Sequence, residues 1–306
     1  MNDQFDRPLG FAIPAQDARG RVVRLGPVLD TILSAHQYPP AAEKILAEAL
    51  VLTALLGATL KDEQSQLTMQ AQTENGPISL LVCDYLGGQL RGHLAFDEER
   101  LAAAGTDPSL FALFGKGYLA LTFDQAGTDA RYQGVVPLEG HSLAEAVERY
   151  FRQSEQLPTV LRVAVEHRTG AGCVAGGLLL QQLAQSEEGH ERLAVRGEAQ
   201  DGDDQRWEHV STLAETLTAA ELVDVDLSLE SIVWRLFHDE EEVRVSPGGL
   251  LTRGCRCDPA YIASVLSRFP DEERAEMVGD DGLVTVDCAF CSKSFGIDPG
   301  AALLQH

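Results

Sequence analysis

The sequence predicts an α+β fold with three parts: a large N-terminal domain of helices packed on an antiparallel sheet, a helical linker, and a small C-terminal zinc-binding domain of helices and a β-hairpin knuckle. Three observations carry this prediction. Alternating apolar runs joined by Asn75-Gly76 and Gly87-Gly88 mark an antiparallel meander. The longest apolar run, at 50–60 inside a longer helical pattern, marks a buried helix. Cys255 and Cys257 as a CxC pair, with Cys288 and Cys291 as a CxxC pair, mark a metal site.

Taken in order, the first strong pattern follows Pro39-Pro40, where Ile45, Leu46, Ala49, Leu52 and Leu56 recur at helical spacing and predict a long core helix. Its apolar run, bracketed by Glu48 and Lys61, is too short to span a bilayer. Period-two runs at 67–71, 77–85 and 89–96 predict three antiparallel strands, with tight turns at the two glycine-containing dipeptides. Further strands are expected at 118–124 and 131–138, a helix at 141–156 stopped by Pro158, and a strand at 160–167. These elements define an N-terminal domain over residues 1–186.

At 187–204 the chain becomes acidic and turn-rich, which opens a linker reaching residue 246. Two helices are expected in it, one carrying Trp207, Val210, Leu213 and Leu217, the other Leu229, Ile232, Val233, Leu236 and Phe237. Neither stripe has a cover of its own length, so both helices are expected to pack on a neighbouring domain. Residues 247–306 form the cysteine domain. There Asp258-Pro259 caps a helix with Ile262, Val265, Leu266 and Phe269 on one side, a short helix follows at 271–278, and strand, knuckle and strand occupy 283–298.

Charge excludes one common task of small zinc modules. With 24 Lys plus Arg against 47 Asp plus Glu the net charge is −23, and such a surface repels phosphate backbones. Nucleic-acid partners are therefore not expected, and neither is a membrane. The N-terminus lacks a secretory pattern, and four of the six cysteines fall at metal spacing, so a reducing, cytoplasmic setting is expected. Cys83 and Cys173 read as small buried thiols, and His238 as a cation at a helix C-terminus. Gly87-Gly88 and Gly176-Gly177 lack phosphate-loop context, and no catalytic constellation is apparent, so no enzyme is expected.

Thirty residues separate Cys257 from Cys288, a spacing that reads as one four-thiolate site closed by the fold. Four protein ligands saturate tetrahedral zinc and leave no position for a reacting water. Three readings stay open on the residues alone. The first is a purely structural staple. The second is a redox switch, because zinc-bound sulfur is thiolate and thiolate is what oxidants attack. The third is a thiol oxidoreductase using Cys288 and Cys291, although that role favours a helix N-terminus and this pair is predicted between strands. Were each pair to close on itself, the loops would be short and worth under about 2 kcal/mol each, against about 3–4 kcal/mol for the long tie. Local oxidation would thus remove the constraint that holds a domain of this size together.

Beyond the cysteines, His36-Gln37-Tyr38-Pro39, Ala47-Glu48-Ala49-Leu50, Leu60-Lys61, Asn75-Gly76-Pro77, Leu90-Arg91-Gly92, the string from Tyr150 to Thr159, Gly176-Gly177 and Leu236-Phe237-His238 occur in a familiar order. With the CxC and CxxC pairs they make the chain resemble the redox-regulated heat-shock protein 33 family of bacterial chaperones over nearly its whole length. The resemblance implies an ATP-independent holdase for unfolding client proteins, inactive when reduced and carrying one zinc ion, and commonly dimeric when active. It also implies disulfides between near neighbours on oxidation, Cys255 with Cys257 and Cys288 with Cys291. One departure is the stretch 187–204, which looks longer and less helical than a family linker.

Overall fold

The computed structural model describes residues 4–73, 75–105, 108–127, 131–168, 172–183 and 198–299. It begins with β1 (Leu9–Ile13), β2 (Ala18–Leu25), α1 (Pro27–Leu33), α2 (Pro40–Gly57), β3 (Gln66–Thr73), β4 (Ile78–Leu86) and β5 (Gln89–Phe96). There follow α3 (Glu98–Ala103), α4 (Leu110–Phe114), β6 (Gly117–Asp124), β7 (Arg131–Pro137), α5 (Leu143–Tyr150), β8 (Thr159–Arg168) and β9 (Gly172–Gln182). The linker region holds α6 (Glu198–Glu215), α7 (Ala219–Val223) and α8 (Leu229–Phe237), then β10 (Arg244–Pro247) and β11 (Thr252–Arg253). Last come α9 (Pro259–Leu266), α10 (Asp271–Glu276), β12 (Val284–Asp287) and β13 (Ser294–Ile297). The fold is α+β, as predicted.

A helix that is apolar on every side must be enclosed, and α2 is. Its residues pack on one side against a five-stranded sheet ordered β10-β1-β2-β9-β8 and on the other against a six-stranded sheet ordered β11-β5-β4-β3-β6-β7. All pairings in both sheets are antiparallel except β11 with β5. The expected meander is β3-β4-β5, extended on one side by β6 and β7. Gly87 and Gly88 close its second turn with φ of 53° and 80°. The first turn differs from expectation. Asn75 and Gly76 take no positive φ, and the connection is longer than two residues. Gly76 instead lies against α4, where an added Cβ would come within 2.4 Å of the Phe114 carbonyl carbon.

The helix expected at 141–156 is α-helical only to Tyr150. Phe151–Glu155 form a π turn that ends at Gln156, whose φ of 52° turns the chain toward β8. Strands β1, β2 and β9 have no counterpart in the sequence prediction. In β9 both faces are covered, so it reads as one apolar run without alternation.

The second cover of the five-stranded sheet is the linker region. Val210, Ala214, Leu217, Leu222, Leu229, Ile232, Val233 and Phe237 form an apolar layer with Leu9, Phe11, Val22, Leu178 and Leu180, and the rings of Phe11 and Phe237 lie 5.5 Å apart. Both predicted stripes therefore face the sheet. Of the stretch expected to be poor in helix, 187–197 lies outside the described residues and 198–204 is helical, as the start of α6. Thr218 and Glu221 form a capping box at α7, and Ser228 caps α8. Among the described residues no helix is long and apolar enough to cross a membrane.

Candidate metal centre

The C-terminal module has a small core: Ala263, Leu266, Val284 and Ile297 are its buried apolar side chains. At about 1.5–3 kcal/mol each for Leu266, Val284 and Ile297, and less for Ala263, they cannot offset the ordering of a segment this long without a further constraint. The sequence supplies it from two places. Cys255 and Cys257 lie between β11 and α9, whose N-cap Asp258 accepts a hydrogen bond from the Ala260 N–H at 3.0 Å. Cys288 and Cys291 lie in the turn between β12 and β13. That turn is closed by the Cys288 N–H to the Lys293 carbonyl at 2.9 Å and by the Ser292 N–H to the Cys288 carbonyl at 2.8 Å, with Ser292 at a φ of 55°.

All four Sγ atoms lie within 4.8 Å of one another, the only such potential metal-binding group among the described residues. Cys255 and Cys288 stand 3.5 Å apart, Cys257 and Cys291 3.6 Å. A tetrahedron with zinc–sulfur bonds of about 2.3 Å has edges of about 3.8 Å, so the quartet has the dimensions of a closed zinc site and is far from disulfide bonding. Burial pushes the Cys257 thiol up to about 12, helped by its thiol neighbours, and burial likewise raises Cys288. At Cys255 burial is outweighed by hydrogen bonds from the Cys257 backbone and the surrounding thiols, which bring it down to about 7. Soft, crowded sulfurs of this kind suit zinc, which would be held by Cys255, Cys257, Cys288 and Cys291.

The other candidate residues lie elsewhere. Cys83 and Cys173 are buried within the N-terminal core, where desolvation raises both thiols, Cys173 to about 12. His238 is the C-cap of α8, with Nδ1 3.3 Å from the Arg235 carbonyl oxygen.

A docking surface that sequence reasoning missed holds the module against the open face of the six-stranded sheet. Phe290, between the last two cysteines, lies under the Arg91 guanidinium at 4.0 Å and meets the His93 ring edge-on at 6.2 Å. Arg91 is held by Asp84 through two nitrogens, and Asp84, 3% exposed, also accepts from the Thr68 hydroxyl at 2.7 Å. Ser292 Oγ hydrogen-bonds His36 Nδ1 at 3.0 Å, and Arg256 donates to Gln66 Oε1 at 2.7 Å. Desolvation holds His36 and His93 below the ordinary imidazole value. The Phe290 backbone opposes the shift at His36, and the two imidazoles lie only 5.5 Å apart. An apolar residue inside a metal knuckle was the available signal, since a module this small cannot cover Phe290 itself.

A family model described as "Hsp33 protein" matches residues 6–298. The 33 kDa chaperonin of Caulobacter vibrioides (strain NA1000 / CB15N) is 42% identical over 299 residues, covering 95% of this chain and 94% of the relative. The 33 kDa chaperonin of Yersinia pestis (strain Pestoides F) is 34% identical over 297 residues, covering 97% and 92%. The crystal structure of a 33 kDa chaperonin from Thermotoga maritima superposes with a TM-score of 0.78 at 20% identity, covering 97% and 96%, a likeness of fold.

Proposed function

The chain belongs to the Hsp33 protein family, and from that premise we propose that it is a redox-regulated, ATP-independent holdase chaperone of the cytoplasm. Its clients are unfolding proteins, it has no enzymatic activity, and its active form is a homodimer. The proposed division is a core domain at 1–186, a linker at 187–246 and a zinc redox module at 247–306. Bound zinc supplies a cross-link over the thirty residues between Cys257 and Cys288. The rest belongs to the chain. Cys255 closes with Cys257 and Cys288 with Cys291. Each pair gives two electrons to one peroxide molecule, which takes up two protons and leaves as two waters. Four thiolate donors are thereby lost together, and a module with four buried apolar side chains has little else to keep it folded.

The observation that carries this reading is the four-sulfur cluster, built from two pairs of near neighbours in the sequence. The layer between the five-stranded sheet and α6–α8 supports the second half of it. Once the module melts, the β10–β11 segment that joins it to α8 loses its anchor at one end, and in this reading the linker helices lift and the apolar residues beneath them become surface for clients. Mild heat with peroxide tests the proposal, with released zinc measured by a colorimetric chelator and client aggregation by light scattering. Zinc release is expected together with suppressed aggregation, and mass spectrometry is expected to find the two near-neighbour disulfides. Release without suppression would sink the holdase reading.

A further inference from the structure

We propose that Arg24 and Arg168 form a latch that holds the linker on the five-stranded sheet by its main-chain carbonyls, a control point separate from the cysteines. Arg24 projects from β2 toward the linker and is fully buried. Its three hydrogen bonds all go to backbone oxygens: Nε to Leu222 at 2.8 Å, Nη1 to Leu227 at 2.8 Å and Nη2 to Glu221 at 3.2 Å. From the end of β8, Arg168 Nη2 donates to the Val223 carbonyl at 2.7 Å.

Three of these four oxygens belong to the last turn of α7, where helical carbonyls have no partner within the helix and carry partial negative charge. Two guanidinium groups supply those partners. Arg24 pairs across the ladder with Gly176 of β9, and the linker backbone rests on that glycine. A Cβ at Gly176 would come within 2.3 Å of the Leu222 carbonyl oxygen, a backbone atom that cannot turn aside. Gly176 thus provides the close approach that lets Arg24 reach over it. Asp224 adds a compensating charge near a guanidinium whose pKa burial lowers.

The latch has the properties a releasable contact needs. Its bonds are charge-assisted and strong while the site is dry, yet a guanidinium freed from carbonyls is readily solvated, so opening leaves no stranded charge. It recognises main chain, so the exposed side chains of α7 play no part in it. By contrast the pair Arg235–Glu221, 3.4 Å apart on the surface, is of the kind that contributes little.

This inference rests on the reading that lifting α6–α8 exposes client-binding surface, and the test separates the two. Full-length, reduced, zinc-loaded wild type, Arg24→Met, Gly176→Ala and the control Arg235→Gln are compared by hydrogen exchange. Arg24→Met and Gly176→Ala are expected to speed exchange over residues 219–238 by about tenfold or more, the worth of one charge-assisted hydrogen bond. Zinc content and protection of α2 stay at wild-type levels, and Arg235→Gln behaves as wild type. Should Arg24→Met lose α2 protection and so fail to fold, Gly176→Ala decides alone. Unchanged exchange over 219–238 in the folded variants overturns the latch. Faster exchange without any suppression of client aggregation keeps the latch and overturns the functional reading.

Discussion

Phe237→Ala is the perturbation that most directly weighs the linker's attachment. Phe237 is fully buried, its ring 5.5 Å from Phe11, and its neighbours belong to the layer between the five-stranded sheet and the linker helices. Truncating a phenylalanine in such a setting removes its burial and leaves a cavity, at a cost of about 3–5 kcal/mol. None of that layer contributes to the core around α2, so the loss falls on local opening of the linker and leaves the core intact. At about 1.4 kcal/mol per factor of ten, the open population rises roughly a hundredfold to several thousandfold. Hydrogen exchange on the reduced, zinc-loaded protein reads this directly, as lost protection at 229–237 beside retained protection at 45–56. Two results would refute the reasoning. Unchanged protection at 229–237 would mean the ring holds nothing, and equal loss in both segments would mean that linker and core open as one unit.

Three further outcomes are expected. A strong chelator added with reductant at neutral pH should collapse the β12-β13 hairpin and residues 255–297 while leaving the strands of both large sheets protected, as NMR amide signals would show. Docking of the module should depend on pH. Because His36 and His93 are held below 6.5 when docked, the undocked state takes up protons first, so docking is intact above about pH 7 and weakens as pH falls through 6.5. Exchange at 288–292, compared at pH 7.5 and 5.5, should show this in wild type and lose the dependence in the His36→Gln, His93→Gln double variant. Finally, Gly76→Ala should lower the urea midpoint by the equivalent of about 1–3 kcal/mol, since its Cβ would meet Phe114 and Leu113 backbone atoms. Asn75→Ala, at a residue that takes no positive φ, should change it by under about 0.5 kcal/mol.

Elements were legible where one face of the chain meets water and the other does not. Thus α8, β3, β5 and the β12-β13 hairpin follow from periodicity, because each has an exposed side that alternates with its buried one. Where burial is two-sided the pattern vanishes, as in β9, and where strands pair only through long loops, as β10 does with β1, local sequence holds no trace of the partner. The four cysteines were legible because metal chemistry constrains residue type and spacing together. Their docking surface was not. Arg91 and His93 serve it from β5 and His36 from the loop between α1 and α2, brought together only by the folded chain, and Arg24 reads as an ordinary charged residue until the linker backbone is set over it.

The short strands β10 and β11 have a consequence of their own. The chain between linker and module crosses the molecule's flank, pairing Arg244–Pro247 beside β1 and Thr252–Arg253 beside β5, with the Gly248 N–H on the Pro8 carbonyl and the Leu251 N–H on the Asp6 carbonyl between them. Each sheet therefore has one border covered by the same ten-residue segment. If that stitching pulls out along with the module, two rows of unpaired backbone amides and carbonyls are bared at once, and any extended chain nearby can add itself to them. The seam that joins the halves of this protein is also what covers one edge of each large sheet.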